Sequence, residues 1–564
     1  TTMAAYPASA RNIPLWMQRA RQSTERSSIL VLLAGILLFI PLFFPQTLPR
    51  TSNYEHYLFR VDNYATALRE GRLYPRWTPN ALYGYGAPIA HFSPPLPAYL
   101  PALIQVMVTG DPNAALRIAA GLMLASAGLF SYHWIARRMG ASAGLTGAIL
   151  YLYSPYIGLT AIHLQGDIRA IFIAALLPAW LWSVDRYALR RSSSFLLMVI
   201  FFAGLVLTEP RAALVALLMG AAVLSFAPIQ HFNRSLRPMI GACLLGICVA
   251  ACYWLPALAE SGAVRFLPTA LSLPRLSLTG FLTPPTLMDG NLLNPPPVLG
   301  LGLPQLLCGI AGIVGIVYFR RWRTLPAVTA GLLLVLLFIA LAFFSEFTWL
   351  LAACSLCLAA TGAAVVWWTE RAPRPTLTLS AVLVGIVALS TPIWLSSAFG
   401  KNNVSMPTPA AEIELERRGL GVAALPDFEP MPNPLIANVL PDQELLSGYA
   451  SGSILKVSAS QNPAGSSVGL IAHNSHSDQM QVFSSLPTDL HILTSYFPGW
   501  IAEFNGREIP IYADSAGLIV VTVPGGNGEL TLSFGSTPAR ILSWIVTWFG
   551  VIATVATAYR LRNH

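Results

Sequence analysis

Apolar and polar positions alternate along this chain on two different scales. Up to residue 398, long apolar runs are separated by short charged stretches. The runs fall at 29–44, 113–136, 142–160, 168–187, 194–208, 211–228, 238–257, 298–319, 325–344, 346–368 and 376–398, and one more lies at 540–558. Each approaches the roughly 20 residues that cross a bilayer as a helix. A further run, "PPLPAYLPALIQVMVT" at 94–109, is shorter and opens on three prolines. Between 399 and 539 the pattern changes to period two, in "SILKVSA", "VGLIAH", "MQVFSS", "HILTSYF", "LIVVTVP" and "ELTLSFG", separated by turn residues such as "NGRE", "DSAG" and "GGNG". Alternation of that kind predicts a β-sandwich. The fold class expected is therefore a mainly α integral membrane protein of about twelve transmembrane helices, with an extracytoplasmic β-sandwich before the last helix.

Composition agrees. Of 564 residues, 55% are hydrophobic and only 10% charged. The net charge of +9 comes almost wholly from arginine, Lys401 and Lys456 being the sole lysines. Those arginines flank apolar runs, which is an orientation signal rather than a nucleic-acid surface. All six cysteines lie within apolar runs and read as small buried hydrophobes. His473 and His476 read as surface residues and Trp500 as core.

The arginines also set the topology. With the basic N-terminus inside and 94–109 as a half-inserted helix on the outer side, the remaining basic clusters fall on the cytoplasmic side. These are Arg137-Arg138, Arg186/Arg190-Arg191, Arg234/Arg237, Arg320-Arg321/Arg323, Arg371/Arg374 and Arg560/Arg562. Counting 94–109 as a span inverts nearly all of them. Both termini are then cytoplasmic, and Glu55, Asp62, Asp167, Glu209, Glu260 and Asp289 emerge together outside. The divisions expected are a cytoplasmic segment 1–28, a transmembrane domain 29–398 with a first outer loop 45–112, the β-domain 399–539, and a final helix and tail 540–564.

Within that outer loop, Ser52 followed by Glu55 fits a capping box and Gly71 a helix stop, so 53–70 is predicted as one helix. At 100° per residue, Tyr57, Leu58, Val61, Tyr64, Ala65 and Leu68 share one arc. Glu55, Asp62, Thr66 and Arg69 share the other, with His56 and Arg60 at its edge. Two readings fit. Glu55 caps the helix and the polar arc meets water, or that arc lines a cavity in which Glu55 or Asp62 serves as general base. The aromatic stretch 71–100, with Tyr74, Arg76 and Trp77, likewise suits either an interfacial belt or a surface for sugar and lipid headgroups. Asp167-x-Arg169 and Glu209-x-Arg211 sit at span ends, where each pair closes a helix or serves a ligand. Arg60, Arg76, Arg169, Arg211, Arg265 and Arg275 are the outer arginines available to a phosphate.

"EHYLFRV…ALREGRLYPRW", "GYGAPIAHFSPPLPAYL" and the span ending "ARRMG" resemble the start of GT-C superfamily membrane glycosyltransferases, closest to bacterial YfhO-like and pyruvoyl-tetrahydropterin-synthase-related membrane proteins. "HLQGDIRAIFIAALLPAWLW", "LTEPRAALVALL" and the segment 495–540 around "PGW…NG" extend the likeness over almost the whole chain. The resemblance implies transfer of a sugar from a polyprenyl-phosphate donor to an extracytoplasmic glycan, lipid or protein acceptor, in a bacterial cytoplasmic membrane. It implies a carboxylate base in the first outer loop. Where an Asp is expected the chain has Asn53, with Glu55 two residues later, and Glu209 stands where relatives carry His.

The assignments that follow are Glu55, Asp62 and Asp167 for catalysis. Arg60, Arg169 and Arg211 are assigned to the donor phosphate, and His56, Tyr74, Arg76, Trp77 and Glu209 to substrate. No ligand spacing demands a metal, although carboxylates beside a phosphate would admit a divalent one. The partners expected are membrane lipids, the lipid-linked sugar and its acceptor, without nucleic acid. The alternative is a catalytically degenerate GT-C-like scaffold serving partner subunits of a larger membrane or surface assembly.

Overall fold

The computed structural model describes residues 26–38, 52–188, 194–225, 229–266, 300–342, 348–369, 379, 382, 385–386, 408–417, 430–433, 435, 441–454, 456–458 and 466–563. Its helices are α1 (Arg26–Leu38), α2 (Ser52–Arg69), α3 (Ile89–Phe92), α4 (Leu96–Ile104), α5 (Pro112–Met139), α6 (Ala141–Leu152), α7 (Ile168–Ala188), α8 (Ser194–Val206) and α9 (Pro210–Ser225). They continue with α10 (Ile229–Val249), α11 (Ala251–Ala259), α12 (Leu303–Tyr318), α13 (Leu325–Ala342), α14 (Leu350–Gly362), α15 (Ala364–Thr369), α16 (Pro409–Arg417), α17 (Gln443–Ser451) and α18 (Pro538–Asn563).

Twelve spans are expected from the sequence. Among the described residues five helices are long and apolar enough to cross a membrane, six if the pair α10–α11, bent by 65°, is one span. Six further apolar helices have 10–17 residues, Leu96–Thr109 among them. At 1.5 Å per residue that segment is only about 21 Å long, short of the roughly 30 Å hydrocarbon core. The expected span at 376–398 falls almost wholly outside the described residues.

Helix α5 is the hub of the apolar core, with Leu116, Tyr132, Trp134 and Ile135 fully buried. It reverses into α6 at Gly140, whose φ of +91° is left-handed, a conformation open to glycine. Four residues on, a Cβ at Gly144 would sit 2.5 Å from that of Ala136, so the two helices meet at van der Waals contact. Their ends are charged in the sense the sequence suggests. Arg137 and Arg138 close α5, Arg186 lies in the last turn of α7, and both Arg137 and Arg138 reach the buried carboxylate of Asp185.

The strands are β1 (Val264–Phe266), β2 (Pro430–Pro432), β3 (Ser466–Asn474), β4 (Ser477–Ser484), β5 (Thr488–Ser495), β6 (Trp500–Phe504), β7 (Arg507–Ile509), β8 (Ile511–Ala513), β9 (Leu518–Val523) and β10 (Gly526–Phe534). A five-stranded antiparallel sheet runs β3-β4-β10-β6-β7 and a three-stranded one β5-β9-β8. Alternate residues of each point into one core, where Met480, Val482, Leu530 and Leu532 meet Leu490, Ile492, Ile519 and Val521. Asn505 and Gly506, both at positive φ, make the β6–β7 hairpin turn that "NGRE" predicts. Of the expected strand "SILKVSA", whose residues 455 and 459 lie outside the described residues, Val457 bridges to Ile492, with backbone bonds from Leu493 to Lys456 and from Ser458 to His491.

The segment that follows α2 is part of this core rather than a neighbour of it. Trp77 packs among Phe497, Trp500 and Phe534, with ring centroids 5.2–6.3 Å apart. Gly86, at φ +80°, leaves room for that indole, since a Cβ there would lie 2.6 Å from Trp77 Nε1. Leu82 and Tyr85 join a second cluster with Leu445, Tyr449 and Leu493.

Candidate functional site

Three helix starts converge beside α2. Backbone N–H of Leu96, at the start of α4, donates to the Leu207 carbonyl at the corner between α8 and α9, 3.0 Å away. This brings the Pro94–Pro97 segment against the first turns of α7 and α9. Between them lies a cavity of about 200 Å³ whose walls include Tyr57, Arg60, Pro94, Pro97, Arg169, Glu209, Arg211 and Tyr253.

Its chemistry is set by three guanidinium groups, the Glu209 carboxylate and, beside Arg169, the Asp167 carboxylate. Arg211 donates to Glu209 from Nε at 2.7 Å and from its NH2 nitrogen at 3.1 Å. Arg169 donates to the same carboxylate at 3.4 Å and stands 3.9 Å from Asp167. The Asp167 carboxylate accepts the Ala170 N–H at 3.1 Å, capping α7. Two helix N-termini add their dipoles to the positive side. Three arginines against Asp167 and Glu209 leave a net positive cavity that suits a phosphate. Glu209 is buried, whereas the Arg211 side chain is 47% exposed, so the cavity is lined with charge and open to entry.

Of the residues singled out from sequence, Arg60, Arg169, Arg211 and Glu209 meet here, from stretches up to about 150 residues apart. Asp62 does not line this cavity. It accepts a hydrogen bond from Gln105 Nε2 at 2.8 Å, and burial pushes its carboxyl above the usual range despite that bond. The apolar arc of α2 is buried at Tyr57, Leu58, Val61, Tyr64 and Ala65, while Thr66 and Arg69 are exposed. Tyr57 and Arg60, rather than the arc of Asp62, Thr66 and Arg69, therefore face the cavity. Glu55 lies within α2, and its side chain falls outside the described residues. His56 is half-buried, edge-on to Tyr57. Trp77 is 3% exposed in the β-domain core, away from the cavity. Arg76 is buried too, its guanidinium 4.5 Å over the half-buried ring of Tyr74.

Arg76 belongs to a buried network that no single stretch of sequence announces. It stands 3.2 Å from His91 Nδ1 and donates to the Cys252 carbonyl at 3.0 Å. His91 Nε2 lies 3.0 Å from Glu260 Oε2, to which Arg540 also donates at 2.8 Å. Arg540 further holds the carbonyls of Gly535 and Pro498 and stacks 4.5 Å over Phe534. Burial alone would raise the Glu260 pKa, but hydrogen bonds from His91, Arg540 and Thr537 overrule it and hold it at about 2. Burial keeps His91 below the usual histidine range. The same region corrects the reading of His476. It is 5% exposed, bonded to Ser475 Oγ at 2.7 Å and accepting the Arg76 N–H at 3.4 Å.

Helix α16 makes a second buried polar contact. Glu416 accepts the N–H groups of Leu82 and Tyr83, at 3.0 and 2.6 Å, across two consecutive left-handed residues. Glu412 accepts both bonds of the Asn63 amide at 3.3 Å, and burial pushes its pKa up to about 7. Among the described residues no group of three or more His, Cys, Asp or Glu could hold a metal ion.

Residues 90–347 match the family described as "6-pyruvoyl-tetrahydropterin synthase related domain; membrane protein", and the expected likeness to that membrane-protein family is present in that segment. No curated protein sequence matches the chain. Among solved structures, the arabinofuranosyltransferase AftD from Mycobacteria is similar at a TM-score of 0.47 and 16% identity, over 66% of this chain and 27% of that one. The Archaeoglobus fulgidus oligosaccharyltransferase tethered with an acceptor peptide is similar at 0.40 and 14% identity, over 72% of this chain and 61% of that one. The chain thus spans about a quarter of the length of AftD.

Proposed function

We propose that this protein is a membrane glycosyltransferase that moves a sugar from a polyprenyl-phosphate donor to an extracytoplasmic acceptor. The observation that carries the reading is the cavity in which Arg60, Arg169 and Arg211 converge beside a Pro-rich half-length helix. A lipid-linked donor needs such a place, with cations for its phosphate and a lateral apolar edge for its tail. The acceptor oxygen attacks the anomeric carbon, and its proton passes to a carboxylate. The bond from that carbon to the phosphate oxygen breaks, and its electron pair leaves on the polyprenyl phosphate, held by the arginines. The configuration inverts.

Glu55 is the base in this scheme. It lies in the first outer loop, two residues before Tyr57 and five before Arg60, so in this scheme the acceptor reaches it at the N-terminal end of α2, whereas Asp167 caps a helix, Glu209 is clamped by two arginines and Asp62 is bonded to Gln105. Asp167 and Glu209 then position Arg169 and Arg211. A second reading, a scaffold without catalysis, is favoured by one observation: Glu209 already neutralises part of the arginine charge. The test is the full-length protein in vesicles, given a panel of radiolabelled polyprenyl-phosphate sugars and a membrane extract as acceptor. Wild type should move label out of the lipid donor, and a folded Glu55→Gln variant should lose at least a hundredfold in rate, as removal of a general base does. Donor binding without transfer by wild type would establish the scaffold instead.

A further inference from the structure

At the other end of α7 and α9, away from the three-arginine cavity, lies a second cavity of about 220 Å³ that the proposed reaction does not use. Arg138, Arg323, Thr324, Leu325, Val223 and Trp367 line it, drawn from α5, the α12–α13 turn, α9 and α15. We infer that it is a binding site for the phosphate headgroup of an anionic membrane lipid, held by Arg323 and Arg138 against the apolar wall of Val223, Leu325 and Trp367.

Three observations point the same way. The charge is unbalanced. Asp185 is buried and already takes two bonds from Arg138, from Nε at 2.9 Å and from its NH2 nitrogen, with Arg137 at 3.9 Å. Arg323 has no carboxylate within ion-pair distance among the described residues. Among the described residues one carboxylate thus faces Arg138 and Arg323 at this cavity, and a phosphate would supply a second anion with a geometry guanidinium groups fit. The volume is below the roughly 300–1,000 Å³ that holds drug-sized molecules, which suits a headgroup whose chains run outside. A path for those chains exists. Val335 is two turns beyond Val328 on the same side of α13, and Val335 and Phe338 are 56% and 72% exposed. An acyl chain leaving the cavity would lie along that flank. A free phosphate would gain nothing from the flank or from the apolar wall. Basic pockets between membrane helices are where lipid headgroups are recognised.

Native mass spectrometry of the detergent-solubilised full-length protein, titrated with phosphatidylglycerol, tests this. Wild type should retain one tightly bound lipid that Arg323→Gln binds about tenfold more weakly, the loss of one charge-assisted contact. Arg321→Gln, an exposed arginine of the same turn outside the cavity lining, should bind as wild type. Phosphatidylcholine should not replace phosphatidylglycerol, and millimolar inorganic phosphate should not displace it. Equal weakening in Arg321→Gln and Arg323→Gln would reduce the effect to general charge and overturn the site. Full displacement by inorganic phosphate would assign the cavity to a free anion and overturn the lipid.

Discussion

Arg169 illustrates how residue and neighbour decide function together. One guanidinium meets Glu209 and Asp167 at the wall of a cavity, so under the proposed function its removal takes a phosphate contact, and it leaves two acids less balanced. Arg169→Ala should weaken polyprenyl-phosphate binding by about 1.5–3 kcal/mol, the range of hydrogen bonds to charged groups. That is roughly 10- to 150-fold in an equilibrium titration of the solubilised protein. Glu260 is the opposite case, a carboxylate whose partners are all protein. Glu260→Gln leaves Arg540 and His91 facing a neutral amide and should cost about 3–5 kcal/mol, as broken buried ion pairs do. Its pKa, about 2 when folded against 4.5 otherwise, means the carboxylate stabilises fully above 4.5 and progressively less below. The melting-temperature gap between wild type and Glu260→Gln should therefore narrow as pH falls from 5 to 3. Residue types were legible in the sequence here, and roles were not. His91 and Glu260 are 169 positions apart, and nothing in the spacing of either stretch signals the other.

Elements with local signals were the most legible. Helix α2 spans Ser52–Arg69 with Gly71 at φ +82° just beyond it, within a residue of expectation, because helical period and stop signals are written in adjacent residues. Five of the six alternating stretches lie in strands for the same reason, whereas the described part of "SILKVSA" meets β5 only through the Val457–Ile492 bridge and its flanking bonds. Helix α16 shows what local signals miss. It docks by placing Glu412 against Asn63 of α2 and Glu416 against Leu82 and Tyr83, a long-range event. Glu412 keeps its proton up to about pH 7 in the folded protein, against 4.5 in the open chain. A raised carboxyl means the folded state holds more protons between those values, so stability falls as pH rises from 4.5 to 7 and is flat beyond. Glu412→Gln should abolish that decline and be more stable than wild type at pH 8, measured by thermal unfolding of the full chain from pH 4.5 to 8. An unchanged slope in the variant would sever the link.

For the whole molecule, arginines gather at opposite helix ends. Arg138 and Arg323 share one cavity while Arg169 and Arg211 share another at the opposite ends of α7 and α9. The number of spans was less legible, since apolar length alone does not separate a bent or short helix from one that crosses. The sidedness has a direct check with a membrane-impermeant thiol reagent, because the six native cysteines lie in apolar runs. Ser515→Cys in the β-domain should label from outside intact cells and Trp322→Cys only after lysis. Labelling of both from one side would overturn the topology.

The seat of Trp77 also sets a timetable for biogenesis. Its aromatic partners Phe497 and Trp500 are translated about 420 residues later, which at roughly 5–20 residues per second is a delay of about 20 to 80 seconds. Throughout that interval the nascent chain displays an uncovered indole beside the translocation machinery. Any stall after residue 398 would strand it there, a sticky intermediate for quality-control proteases to find.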